Sequence, residues 1–200
     1  MTDEHNALRR KSLAALPALT LFSGTVSSAA EGDPGTESND TLITYFSRTG
    51  NTRVVAGLLQ RNLSAHIHEI SPLTPYPADY LKTVEIASQE RDAGSLRPIR
   101  KRLTDISTYK IIYIGFPIWG TSVPSVIKNF LRTHDLKGVT VIPFITHGGV
   151  GIGDSMDILN KLCPSSNLLD PFVMQADQER KTMESVESWL SHKHTKISDS

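Results

Sequence analysis

Two stretches of the chain, Ile111-Ile112-Tyr113-Ile114-Gly115-Phe116 and Val139-Thr140-Val141-Ile142-Pro143-Phe144-Ile145, are apolar almost without interruption. A strand with one face in water alternates apolar and polar side chains. A short run lacking that alternation needs cover on both faces, which is the situation of a central strand in a parallel sheet flanked by helices. Around these two runs, strand-like and helix-like segments alternate. Thr41–Phe46 is β-branched and aromatic, and Thr52–Leu63 sets Val55, Leu58, Leu59 and Leu63 at helical intervals. His66–Ile70 alternates and ends at Pro72, and a helical stretch follows from about Ala78 to Ala93. Further helices are predicted at Ser125–Leu131, Ser155–Leu162 and Gln178–His192, with a weaker strand at Leu168–Met174. The pattern is α/β with a parallel sheet.

The first thirty residues differ from the rest. Arg9, Arg10 and Lys11 precede an apolar and small-residue stretch, Ser12–Val26, and then Ser28-Ala29-Ala30. This is the layout of an export signal (1–30), and the paired arginines resemble a twin-arginine signal, so a periplasmic or extracellular location is expected, with an uncleaved cytoplasmic tail as the alternative. The apolar stretch is shorter than the roughly 20 residues that span a bilayer and is interrupted by Pro17 and Gly24, so no stable membrane span is expected. Residues 31–40 are mostly Gly, Pro, Ser, Asp and Glu with no apolar periodicity, a linker, followed by a domain over 41–194 and a short tail, 195–200.

Charge and thiol content narrow the chemistry. Lysine plus arginine and aspartate plus glutamate each number 21, and removing residues 1–30 leaves one more negative than positive side chain. No broad cationic surface is present to hold nucleic acid. The single cysteine, Cys163, forms no internal disulfide, and neither a CxxC pair nor a thiolate zinc cage exists. The pairs His66/His68 and His192/His194 lack accompanying ligands, so no metal is expected, and Lys101-Arg102 with Arg97 and Arg100 reads as a solvated basic loop, with an acidic partner as the alternative.

In an open parallel sheet, ligands gather outside the carboxyl ends of the strands where connections diverge. The loop after the first strand, Ser47-Arg48-Thr49-Gly50-Asn51-Thr52, combines hydroxyls, a glycine and a helix start, which suits a terminal phosphate; an ordinary helix cap is the alternative. Neither GxxxxGK[ST] nor GxGxxG occurs in it. The third strand runs into Pro117-Ile118-Trp119-Gly120, where the tryptophan offers a flat face to a planar ring or packs against a helix. The fourth leads to His147-Gly148-Gly149-Val150-Gly151-Ile152-Gly153, whose amide groups suit an electron-rich ligand edge; a hinge is the alternative.

Together YFSRTGNT, GFPIWG and PFITHGGVGIG, in that order, with Tyr76-Pro77-Ala78-Asp79-Tyr80 between the first two, resemble the flavodoxin-like family over Thr41 to about Leu190. The resemblance implies the arrangement of flavodoxin itself, the type example of this topology: a three-layer α/β/α sandwich with a five-stranded parallel sheet of order 2-1-3-4-5 and FMN at the switch point. It further implies that Ser47, Thr49, Asn51 and Thr52, with the Arg48 and Gly50 amides, hold the FMN phosphate. Trp119 would stack on the flavin ring, Pro117, Ile118 and Gly120 would line it through the backbone, and His147, Gly148 and Gly149 would meet its pyrimidine edge. Glycine at 120 departs from relatives with a second aromatic there.

The leading functional expectation is an exported FMN-binding electron-transfer protein, exchanging electrons with a redox partner protein or small acceptor and needing no catalytic side chain. One alternative is an FMN-dependent NAD(P)H:quinone-type oxidoreductase, with the long Ser71–Arg102 excursion forming the acceptor pocket. The other is a cofactor-free interaction module on the same fold.

Overall fold

The computed structural model describes residues 40–176, 185–186 and 188–192. The elements in chain order are β1 (Thr41–Tyr45), α1 (Asn51–Leu63), β2 (His66–Glu69), α2 (Tyr80–Asp92), β3 (Ile111–Pro117), α3 (Ser125–Thr133), β4 (Thr140–His147), α4 (Ser155–Leu162), β5 (Asn167–Leu168) and β6 (Phe172–Gln175). Every strand pairing is parallel. The order is β2-β1-β3-β4-β5, with β6 also paired to β4, as the resemblance implied.

The two uninterrupted apolar runs are β3 and β4, and both are buried along nearly their whole length. Because successive strand residues face opposite ways, each strand feeds two cores. On one face Leu42, Ile112, Ile114, Phe116, Val141 and Ile145 pack with Val126, Ile127 and Phe130 of α3 and Leu159 of α4. On the other, Ile43, Tyr113, Ile142 and Phe144 pack with Val55, Ala56 and Leu59 of α1. Each of these large side chains contributes about 1.5–3 kcal/mol by leaving water, so the sheet centre anchors three layers. The glycine inside β3 is a packing requirement. Gly115 lies in register with Phe144, and a Cβ there would fall inside the Phe144 ring.

The sheet edge differs from expectation. In place of one strand over Leu168–Met174, β5 pairs with Thr140–Val141 and β6 with Phe144–His147, and the register slips by one residue between them. Pro171, which has no N–H to offer the ladder, sits in the break. The helix predicted at Gln178–His192 is described only from its later part, where Trp189 meets Tyr113 and Phe172 edge-on and tilted, respectively. The expected signal at 1–30, all of the linker except Asp40, and the 195–200 tail lie outside the described residues. Among the described residues no helix is long and apolar enough to cross a membrane.

The carboxyl ends of β1, β3 and β4 lie side by side, so residues 46–50, 118–124 and 148–154 share one end of the sheet.

Candidate cofactor cleft

The loop after β1 closes on itself before α1 begins. The Gly50 N–H donates to Ser47 Oγ at 3.1 Å, and Gly50 takes φ 102°, the left-handed conformation that glycine adopts without strain. Helix α1 has no side-chain cap and no acidic residue in its first turn. Helix geometry leaves the N–H groups of Asn51, Thr52 and Arg53 without intrahelical acceptors, at the positive end of the dipole.

Two residues of this loop have structural partners. The Thr52 hydroxyl, buried, shares a 2.9 Å hydrogen bond with Thr146 Oγ1 at the end of β4. The Arg48 guanidinium donates to the Ala78 carbonyl at 2.7 Å and, at 3.4 Å, to that of Pro77, fastening the loop to the approach to α2. Arg53, in the first turn of α1, pairs with Glu69 at 2.5 Å.

Beyond β3, the Ile118 N–H donates to the Thr146 carbonyl at 2.8 Å, and Trp119 and Ser122 exchange backbone hydrogen bonds across a two-residue turn. Gly120 stands in that turn at φ 67°, where hairpin-type turns require positive φ. Trp119 is half-buried, with its ring edge-on to Tyr76 (centroids 4.5 Å apart) and to Phe46 (5.4 Å).

Behind Trp119 lies a polar cluster of Tyr76, Glu90, Arg97 and Ser125. Arg97, expected in a solvated basic loop, pairs with Glu90 at 2.6 Å, each side chain only 13% exposed, and its guanidinium sits 3.9 Å over the Tyr76 ring. The Tyr76 hydroxyl and Ser125 Oγ both donate to Glu90 Oε2. Burial, together with the Glu90 carboxylate, pushes the Tyr76 phenol above its ordinary value, so it remains a donor at neutral pH. This cluster holds the 71–103 excursion against α3 and fixes the ring that abuts Trp119.

Beyond β4 the chain wraps around His147. The N–H groups of Gly149 and Gly151 donate to His147 Nδ1 at 3.0 and 3.3 Å, which assigns the neutral ring proton to Nε2. The Gly149 amide is thus turned toward the histidine. Gly153 packs so closely on Thr121 that a Cβ would overlap its carbonyl oxygen, and Asp154 N–H donates to that oxygen at 3.0 Å.

These loops open onto a cleft of about 330 Å³, within the range of small-molecule sites. Of the residues singled out in the sequence, Arg48, Thr49, Asn51, Pro117, Ile118, Trp119, Gly120, His147 and Gly148 line it, whereas Ser47, Gly50, Thr52 and Gly149 do not. Thr146 and Ala176 also line it, and α2 contributes a wall of Tyr80, Thr83, Val84, Ala87, Ser88 and Arg91. Their spacing marks one helix face, and only Thr83 of α2 is buried. A small, mildly apolar face with no core to meet was the available signal. Among the described residues, Arg48 and Arg91 are the charged side chains in the lining, and no carboxylate lines it. Arg91 reaches over Gly120, within 2.8 Å of where a Cβ would stand.

Elsewhere, Cys163 is packed in the core and burial pushes its thiol up to about 11. Among the described residues no group of three or more His, Cys, Asp or Glu side chains is placed to hold a metal ion. His66 meets the Tyr109 hydroxyl at 2.9 Å.

The flavodoxin family model matches residues 40–193, which is the strands, the helices and all three loops around the cleft. The chain belongs to the flavodoxin family. Among solved structures, this flavodoxin-family chain is similar to one named as a flavoprotein from Bacteroides eggerthii DSM 20697, at 32% identity over 76% of this chain and 95% of the other, with a TM-score of 0.66. It is similar to another so named from Bacteroides uniformis ATCC 8492, at 30% identity over 74% and 97%, TM-score 0.65. A flavoprotein in complex with FMN from Lactobacillus acidophilus NCFM agrees in fold, at 23% identity over 72% and 97%, TM-score 0.60. None of the curated proteins matches the chain in sequence.

Proposed function

We propose that the chain binds FMN in this cleft and serves as an electron-transfer protein. The carrying observation is the convergence of three strand-end loops on a cleft that begins at an uncapped helix N-terminus and, among the described residues, has arginines but no carboxylates in its lining. A phosphate monoester suits unpaired N–H groups at a helix dipole, and a planar apolar ring suits the space among Trp119, Val84 and Ala87. The FMN complex of a protein with the same fold supports the choice of cofactor.

When bound, FMN supplies the capacity to accept and release electrons. The chain supplies position and charge. Thr49, Asn51 and the first N–H groups of α1 hold the phosphate, while Arg48 keeps that loop against the α2 approach. Trp119, braced by Tyr76 and Phe46, supports the ring from the loop after β3. His147, fixed by two glycine N–H groups, presents its other nitrogen as a donor. A cation at Arg91 and a lining without carboxylates among the described residues favour the electron-rich reduced ring, so the midpoint potential is expected to be less negative than that of a strongly acidic carrier.

A quinone-type reductase is the second reading, favoured by the exposed apolar residues of α2: Tyr80, Leu81 and Val84 are 67%, 74% and 43% exposed. They would give a hydrophobic acceptor a place to rest. For residues 1–30 we keep the reading of an export signal, to be checked by locating the chain after cell fractionation.

The test is reconstitution of the purified full chain with FMN. The expected product is yellow, quenches flavin fluorescence on binding, and passes electrons to a protein acceptor. A chain that takes up no FMN would make the interaction module correct, and rapid NADPH-dependent reduction of a quinone without added reductase would make the reductase correct.

A further inference from the structure

A second cavity of about 240 Å³ lies on the α2–α3–α4 face of the sheet. Its walls include the apolar side chains Leu96, Ile158 and Leu162, all half-buried, and the cations Lys128, Arg132 and Lys161. Lys128 and Arg132 are one helical turn apart on α3, so they share a face. The basic strip reaches back to the cleft: Lys128 shares a small hollow with Arg91 and Trp119, and Arg91 and Trp119 line the cleft itself.

We propose that this strip, Arg91 to Lys128 to Arg132 and Lys161, with the apolar cavity between its ends, is the docking surface for an acidic electron-transfer protein that exchanges electrons with the cleft. The inference rests on the reading of the cleft as the FMN site.

Charge complementarity identifies the partner. Arg132 and Lys161 make no ion pair among the described residues. The acids nearby are Asp92, paired with Arg91 at 3.0 Å, Asp154, whose charge acts on Lys128, and Asp157, one turn before Lys161. Glu90 also touches the cavity but is committed inward to Arg97, Tyr76 and Ser125. Burial above all, with a smaller contribution from the neighbouring Arg91 and Arg132, lowers the Lys128 ammonium from its ordinary value, and an incoming carboxylate would favour its charged form. An apolar pocket ringed by cations is the anatomy of a contact in which one hydrophobic side chain anchors and surrounding acids steer. A small anion would use the cations but leave unexplained why the strip continues to the cleft mouth. A docked protein must span both, because its own redox centre has to approach the flavin.

The test uses the full FMN-loaded chain and two probes of opposite charge. One electron is passed to its oxidised flavin from the reduced cluster of an acidic plant-type ferredoxin, and one from its reduced flavin to the haem of basic cytochrome c. The ferredoxin rate is expected to fall about tenfold between 0.02 and 0.3 M salt, because added ions screen the attraction. The Arg132→Glu/Lys161→Glu variant, neither residue being part of the cleft, is expected to lower the low-salt ferredoxin rate about tenfold, leave FMN affinity and thermal stability at parental values, and speed cytochrome c. Unchanged ferredoxin rates in a variant that holds FMN would overturn the docking surface and leave the cleft reading intact. If the parent holds no FMN, the cleft reading fails and the surface is judged by titrating ferredoxin against the flavin-free chain: binding lost in the variant supports it, and equal binding overturns it. Tight seating of inorganic pyrophosphate that leaves the ferredoxin rate unaffected would make this a small-anion site and overturn the proposal.

Discussion

The hydroxyls of Thr52 and Thr146 meet 2.9 Å apart in a buried position, joining the first turn of the helix after β1 to the end of β4. One hydrogen bond thereby sets the spacing between the loop assigned to the phosphate and the loop assigned to the ring edge.

Replacing Thr52 by valine keeps the shape and leaves the Thr146 hydroxyl buried without that partner. The expected loss is about 1–2 kcal/mol of folding stability in urea denaturation. Thr49→Ala, which removes a cleft-lining hydroxyl, is expected to weaken FMN about fivefold in a fluorescence titration with little effect on stability. If Thr52 contacted the phosphate directly, its variant would show the larger loss of affinity.

The pair of Glu90 and Arg97 behaves differently when broken than when replaced. Glu90→Ala strands a largely buried guanidinium and two hydroxyl donors and is expected to cost about 3–5 kcal/mol. Joint replacement with Glu90→Leu and Arg97→Met is expected to recover a substantial part of that loss. Chemical denaturation measures both, and the fluorescence of Trp119, whose neighbour Tyr76 loses its anchor, reports the local change.

Much of the fold was legible because β3 and β4 show it directly: residues apolar on both faces have no other stable place than the middle of a covered sheet. The strand order was not readable from these residues and came from the resemblance carried by the three loops. Two features escaped. The face of α2 from Tyr80 to Arg91 meets a cleft instead of a core, so its periodicity is weak and its apolar members stay exposed. Arg97 has the appearance of a loop cation until the fold brings Glu90, seven residues earlier on α2, against it. In the site, residue identity did not reveal commitment: Ser47 and Thr52 are hydroxyl-bearing like Thr49, but one binds within its own loop and the other binds β4.

Gly120 is held at positive φ with Arg91 close to where a Cβ would stand. Gly120→Ala is expected to cost about 1–2 kcal/mol in backbone strain and to displace the guanidinium. FMN affinity should drop roughly tenfold for each ~1.4 kcal/mol of that strain carried into the bound state. Isothermal titration with parent and variant measures it.

The raised thiol of Cys163 sets an alkaline limit. Its folded value of about 11 lies above the ordinary thiol value of 9.0, so folding favours the protonated form. That contribution is complete below pH 9 and disappears as pH rises toward 11, because the unfolded thiol releases its proton first. Urea unfolding at stepwise alkaline pH should show declining stability in that window, less steep in Cys163→Ser. The native thiol should resist iodoacetamide at pH 8 and react once the chain is unfolded.

A crystal structure of the full chain grown with excess FMN would show directly where the cofactor sits. The phosphate is expected at the start of α1, beside Thr49 and Asn51, with the ring between Trp119 and the α2 face and its pyrimidine edge toward His147 and Gly148. FMN bound elsewhere, or a cleft that Trp119 fills while the cofactor stays in solution, would contradict it.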